Sequence, residues 1–128
     1  MLNRLQEGIG EPLVVGVDPG RRIGVVGYYG NSEIYGDVLN SADEAIDRIL
    51  KLLRSVQGTQ KVVRIGNGDP KLAQVLAESL GARAGKGVQI EIVDERGTTV
   101  ETKPNRRGAR DVRSARMIAF RHGWQYTT

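Results

Sequence analysis

The sequence contains no cysteine and only one histidine among its 128 residues. The lack of cysteine excludes disulfide bonds, thiolate metal sites and cysteine nucleophiles. A single histidine argues against a histidine-rich zinc site. Any metal ion that this chain binds would therefore be held by oxygen ligands.

Long apolar stretches are also missing. None approaches the roughly 20 apolar residues that a transmembrane helix needs, and the opening MLNRLQEGIGEP lacks the basic start and apolar middle of a secretory signal. We therefore expect a cytoplasmic protein that makes no contact with a membrane. A chain of this size can bury about two thirds of its unfolded surface, so we expect one domain over residues 1–128.

The positive charge of the chain is concentrated near its C-terminus. The net charge is +4, but residues 103–121 alone carry +6, and the rest of the chain sums to −2. An arginine-rich patch of this kind is typical of a surface that binds phosphate, although a solvated helix face is an equally good interpretation. From this segment we expect nucleic acid to contact Lys103, Arg106, Arg107, Arg110 and Arg113.

The hydrophobic pattern predicts an α/β fold in which three strands come first and helices then alternate with strands. Such an order requires crossover connections and hence a mixed sheet covered by helices. Gly66-Asn67-Gly68 is interpreted as a turn, and Asp69 as a helix cap. The predicted strands cover residues 12–17, 23–29, 33–39, 61–65 and 88–93. Of the three predicted helices, the first begins after Ser41, the second begins after Asp69, and the third runs from near Gly108 to His122.

Acidic residues follow two of these strands and begin the last helix. Ligands of open α/β sheets bind beyond the carboxyl ends of the parallel strands. Asp18 ends the first strand, and Asp94 and Glu95 follow the fifth. Because neighbouring side chains point to opposite faces, at most one of the latter two faces a site. Asp111 is predicted in the first turn of the last helix, on the side that packs against the sheet.

Each of these acids also has a purely structural interpretation. Asp18 can open a proline turn, and Asp94 and Glu95 can form a polar loop with Arg96. Asp111 is favoured by the helix dipole whatever its function.

Three converging carboxylates would require a cation. Each pair would repel by about 4 kcal/mol at a separation of about 4 Å and an effective dielectric constant of about 20. A divalent cation reverses that repulsion, and ligation by oxygen alone suits Mg²⁺ or Mn²⁺. Two such ions, about 4 Å apart, would support the hydrolysis of a phosphodiester bond.

Three segments resemble a known family: VGVDPGRRIGVV at 15–26, VDERGTT at 93–99 and DVRSAR at 111–116. In order and spacing they resemble the YqgF branch of RuvC-like proteins, within the ribonuclease H-like fold. The resemblance spans nearly the whole chain and implies a five-stranded mixed sheet in the order 3-2-1-4-5. It also implies that Asp18, Glu95 and Asp111 are the catalytic metal ligands, whereas Asp94 supports the turn.

Members of that family include Holliday-junction resolvases and nucleases linked to maturation of small-subunit ribosomal RNA. We therefore expect a metal-dependent endonuclease that acts on structured RNA or branched DNA. Two alternatives stay open. One is an inactive nucleic-acid-binding or assembly module, motivated by Gly97, where the family usually has an apolar residue. The other is a homodimer in which the arginine-rich helix meets an acidic protein surface.

Overall fold

A computed structural model describes residues 10–95 and 112–126 of the chain. The strands are β1 (Leu13–Asp18), β2 (Ile23–Tyr29), β3 (Ser32–Leu39), β4 (Lys61–Gly66), β5 (Val88–Val93) and β6 (Trp124–Gln125), and the helices are α1 (Ala42–Arg54), α2 (Pro70–Arg83) and α3 (Arg113–Ala119). They form one mixed sheet in the order β3-β2-β1-β4-β5-β6. The predicted α/β class, the mixed sheet and the order of its first five strands are confirmed, whereas the predicted number of five strands is wrong, because β6 adds a sixth beside β5.

Three adjacent strands, β1, β4 and β5, pair in parallel, and the other pairings in the sheet are antiparallel. β1 pairs in parallel with β4, and β4 with β5. β2 is antiparallel to β1, β3 to β2, and β6 to β5. The carboxyl ends of β1, β4 and β5 consequently lie at the same edge of the sheet.

The two faces of the sheet are covered by different helices. Alternate residues of β1, beginning with Leu13, are fully buried in the larger core, together with the apolar sides of α1 and α2. The smaller core lies on the opposite face, which we call the α3 face, where Ala115 and Ala119 pack beside Val26 and Tyr28. β1 is thus covered on both faces, as its uninterrupted apolar sequence predicts.

Local capping starts α1 and α2 where the sequence predicts. At α1, the Glu44 N–H donates to Ser41 Oγ at 3.1 Å, and the Glu44 carboxylate accepts the Asn40 N–H at 2.8 Å. At α2, the Leu72 N–H donates to Asp69 Oδ1 at 3.1 Å. Asp69 is therefore a helix cap, as predicted.

The prediction of a last helix from near Gly108 to His122 is confirmed over Arg113–Ala119, but its predicted end at His122 is wrong. Helix α3 ends at Ala119, and β6 follows it. The chain leaves the helix because it pairs with β5: the Tyr126 N–H donates to the Ile90 carbonyl at 2.7 Å. At Gly123 the backbone passes so close to Ile92 that a Cβ atom would collide with its carbonyl oxygen. Residues 108–111 lie outside the described residues.

A buried ion pair supports the carboxyl end of α3. Arg64 Nε lies 3.0 Å from Glu91 Oε1, and Arg64 Nη1 donates to the Ala119 carbonyl at 2.6 Å. Gln89 Nε2 donates to Glu91 Oε2 at 2.6 Å. Because Glu91 is buried, these bonds compensate the loss of its hydration and fix the end of α3 to β4 and β5.

Helix α3 approaches the sheet closely at Gly16, in the middle of β1. A Cβ atom there would collide with the Ala115 carbonyl oxygen and would lie 2.8 Å from Ala119 Cβ. Glycine on the strand and alanine on the helix allow the two backbones to come this close. No helix in the described part of the chain is long and apolar enough to cross a membrane.

Replacement of Gly16 should loosen α3 from the sheet. We expect Gly16→Ala to lower the free energy of unfolding by about 2 kcal/mol, the typical cost of overpacking a core. Urea denaturation followed by circular dichroism measures this change. Gly20→Ala is the matched control, because a Cβ atom at Gly20 would meet only the Arg22 carbonyl oxygen, at 3.3 Å. Equal destabilisation by the two variants would contradict the prediction.

Candidate functional site

The candidate site lies at the carboxyl edge of the sheet, which we define by Asp18, Gly66 and Val93, the last residues of β1, β4 and β5. The parallel register aligns these ends. Val17 is opposite Ile65, and Gly66 is opposite Val93. Side chains that follow the three strands are therefore brought to one edge, where ligands of α/β sheets usually bind.

Asp18 lies at this edge on the α3 face. Side chains two residues apart in a strand share a face, so Asp18 is on the same side as Gly16, which contacts α3. The residue is only partly buried. The predicted position of Asp18, at the end of the central strand, is confirmed.

Glu95 reaches the same edge from β5, and the turn after β4 fixes it. Its backbone N–H donates to Asn67 Oδ1 at 3.0 Å, and its Oε2 accepts the Gly68 N–H at 3.0 Å. A Cβ atom at Gly66 would collide with this carboxylate, lying 2.6 Å from its Cδ atom. The Glu95 carboxylate therefore covers the end of β4, although the residue itself follows β5.

This arrangement brings two of the three predicted ligands to neighbouring strand ends. β4 is adjacent to β1 in the sheet, and neighbouring strands are about 4.8 Å apart. Carboxylates from these two strand ends are suited to share a hard divalent cation, which prefers oxygen ligands. Within residues 10–95 and 112–126, no three acidic or histidine side chains form a metal-binding group.

The third predicted ligand, Asp111, lies outside the described residues, two positions before the first residue of α3. The described start of α3 lies over β3. Val112 packs in the smaller core, where a Cβ atom at Gly36 would lie 3.8 Å from its Cγ2 atom. Gly36 is opposite Val26, and Val26 is opposite Gly16, so Val112 lies near the register of Gly16, two residues before β1 ends.

Most of the predicted phosphate-binding residues also lie outside the described residues: Lys103, Arg106, Arg107 and Arg110. Arg113 is described and exposed, in the first turn of α3. Arg121 Nη1 donates to the Asp94 carbonyl at 3.3 Å, so it links the end of α3 to the chain that follows β5.

Arg116, from the same basic segment, forms an ion pair with Glu33 of β3. Its Nε donates to Glu33 Oε1 at 2.8 Å and its Nη2 donates to Glu33 Oε2 at 3.2 Å. The Tyr28 hydroxyl donates to the same carboxylate at 3.1 Å. The bonds from Arg116 lower the pKa of Glu33, and burial, followed by the adjacent Glu33 carboxylate, raises the pKa of Tyr28.

The role of the turn after β4 was not predicted from the sequence. The pattern Gly66-Asn67-Gly68 predicts only a turn before α2, whereas Asn67 and Gly68 both bond Glu95. The available signal was the pair of glycines at a strand end, which leaves room for close approach by another part of the chain. The partner, 28 residues away for Asn67, could not be read from local sequence.

The Glu33 and Arg116 pair predicts a pH-dependent contribution to stability. Because the folded protein lowers the pKa of Glu33, the contribution is present above the ordinary glutamate value of about 4.3 and is lost as the pH falls through the lower, folded-state value. We expect wild type to melt at a higher temperature than Glu33→Gln at about pH 6, and we expect this advantage to be smaller at about pH 3.

Thermal denaturation of both proteins at the two pH values measures this difference. The effect should be modest, because both side chains are partly exposed and water weakens the attraction between them. A melting-temperature difference that is the same at both pH values would contradict the prediction.

The comparisons with known proteins identify no relative of this chain. No protein-family model matches the sequence. A search of curated proteins also finds no match. The YqgF-like assignment therefore stays a prediction from three short segments of sequence, and the fold and the carboxyl edge are the basis for assigning a function.

Proposed function

We propose that this chain is a divalent-metal-dependent endonuclease with a ribonuclease H-like fold, similar to the YqgF branch of RuvC-like proteins. The observation that carries this proposal is the presence of Asp18 and Glu95 at the carboxyl edge of β1, β4 and β5. The order of five of the six strands, β3-β2-β1-β4-β5, supports it, because the family resemblance implies that order; β6 is an addition to it.

The donor set is suited to Mg²⁺ or Mn²⁺. Asp18 and Glu95 supply carboxylate oxygens at adjacent strand ends, and the chain contains no cysteine that would favour a softer metal. In this proposal Asp18, Glu95 and Asp111 hold the metal. When bound, the metal would lower the pKa of a water molecule and stabilise the charge on the leaving oxygen of a phosphodiester.

The protein contributes position and charge to this chemistry. The Gly68 N–H and the Asn67 side chain hold Glu95, and the central strand holds Asp18. The basic segment would bind the substrate backbone through Lys103, Arg106, Arg107, Arg110 and Arg113. Arg116 is left out of this set, because its guanidinium bonds both oxygens of Glu33.

The proposed substrates are structured RNA, such as a ribosomal RNA precursor, and branched DNA, such as a Holliday junction. Both present closely spaced phosphates to a basic surface. The cleavage assay therefore uses a four-way DNA junction and a folded RNA in parallel, each with and without Mg²⁺ or Mn²⁺.

Asp18→Asn should abolish cleavage and leave the fold intact. The substitution keeps the shape of the side chain and removes its charge. We expect the rate of metal-dependent cleavage to fall by more than about 100-fold. Even the mutation of a residue that only hydrogen-bonds a metal ligand typically lowers metal affinity or activity by about 10–100-fold. Initial rates on both substrates, with circular dichroism as a check of folding, measure the outcome.

The matched control is Asp47→Asn, which removes an exposed aspartate of α1 that pairs with Lys51. It should cleave like wild type. Undiminished cleavage by Asp18→Asn would overturn the proposed mechanism. Salt-sensitive binding by wild type without turnover on either substrate would instead support the inactive nucleic-acid-binding module.

A further inference from the structure

We infer that Asn67 is a positioning residue. Its place in the Gly66-Asn67-Gly68 turn holds Glu95, which follows β5, over the end of β4. The inference rests on the proposed function, in which Glu95 is a metal ligand. It assigns to Asn67 a role that is neither catalytic nor substrate-binding, because its side chain acts on Glu95.

Three hydrogen bonds join the turn to the chain after β5. The Asn67 N–H donates to the Val93 carbonyl at 3.0 Å, which extends the β4 and β5 pairing by one bond. The Glu95 N–H donates to Asn67 Oδ1 at 3.0 Å. The Gly68 N–H donates to Glu95 Oε2 at 3.0 Å. Both the backbone and the carboxylate of Glu95 are thus held by the same three-residue turn.

The glycines on either side of Asn67 make room for the carboxylate. A Cβ atom at Gly66 would lie 2.6 Å from both Glu95 Cδ and Ile118 Cδ1. A Cβ atom at Gly68 would lie 2.9 Å from Glu95 Oε1. The carboxylate therefore fills space that a side chain at either position would occupy, against α3 on one side and the turn on the other.

As a consequence, the Glu95 carboxylate lies at the end of β4, although Glu95 follows β5 in the chain. Glu95 belongs to the connection after β5, one strand farther from Asp18 than β4 is. The turn holds its carboxylate over Gly66, so it stands next to the strand that is adjacent to β1. Sites of this kind need their groups held to within about 0.5 Å, and a shift of about 1 Å can reduce the rate by a factor of about 100.

The experiment compares wild type with Asn67→Ala, Asn67→Asp and the matched control Asn31→Ala. Asn31 lies in the turn between β2 and β3, at the opposite end of the sheet from Asp18. Aspartate at position 67 keeps an oxygen that can accept the Glu95 N–H, whereas alanine does not. The readouts are kcat and KM for metal-dependent cleavage, and the hydrogen-exchange rate of the Glu95 amide measured by NMR.

We expect Asn67→Ala to lower kcat by about 10–100-fold, as outer-shell substitutions at metal sites do, and to leave KM for the nucleic acid nearly unchanged. Exchange of the Glu95 amide should become faster in this variant. Asn67→Asp should keep the slow exchange and recover part of the lost kcat, and Asn31→Ala should behave like wild type in both readouts.

Unchanged exchange of the Glu95 amide in Asn67→Ala would overturn the inference. If wild type cleaves, a kcat of Asn67→Ala equal to that of wild type would also overturn it. If Asn67→Ala does not fold, slow exchange in Asn67→Asp supports the inference and fast exchange overturns it. A wild type that cleaves neither substrate would refute the proposed function and with it the positioning role, even where the amide exchange shows that the hydrogen bond is present.

Discussion

The contact between Gly16 and α3 is the constraint on which the arrangement of the α3 face depends. Because β1 has no side chain at that point, Ala115 and Ala119 bring the helix directly onto the central strand. The same strand continues for two more residues and ends at Asp18, which is on the same face as Gly16. A larger residue at Gly16 would displace the helix from the central strand.

The charged groups on the α3 face divide into two sets by their position along the strands. Away from the carboxyl edge, the acids are paired with arginines that anchor α3: Glu91 with Arg64, and Glu33 with Arg116. At the edge, Glu95 bonds a glycine-rich turn: its carboxylate accepts the Gly68 N–H, and its own N–H donates to Asn67 Oδ1. These bonds fix the position of Glu95 relative to the end of β4.

Much of the fold could be predicted from the sequence because its signals are local. The bounds of β2 and β5 agree with prediction, since β-branched runs ended by turn residues are clear signals, and the Asp69 cap depends on residues three positions apart. β6 was not predicted, because two residues that pair with β5 carry no local pattern. The link between Asn67 and Glu95 depends on the register of β4 and β5. Asp111 and most of the basic segment lie outside the described residues and stay predictions.

The most direct measurement is a crystal structure of the protein soaked in Mn²⁺, with anomalous scattering used to locate the ion. If Asp18 and Glu95 form a cation site, an anomalous peak should lie at the carboxyl edge, at ligand distance from carboxylate oxygens of both residues. No peak between them, or each of the two carboxylates neutralised by a neighbouring guanidinium, would contradict the proposal that this edge of the sheet is a metal-dependent active site.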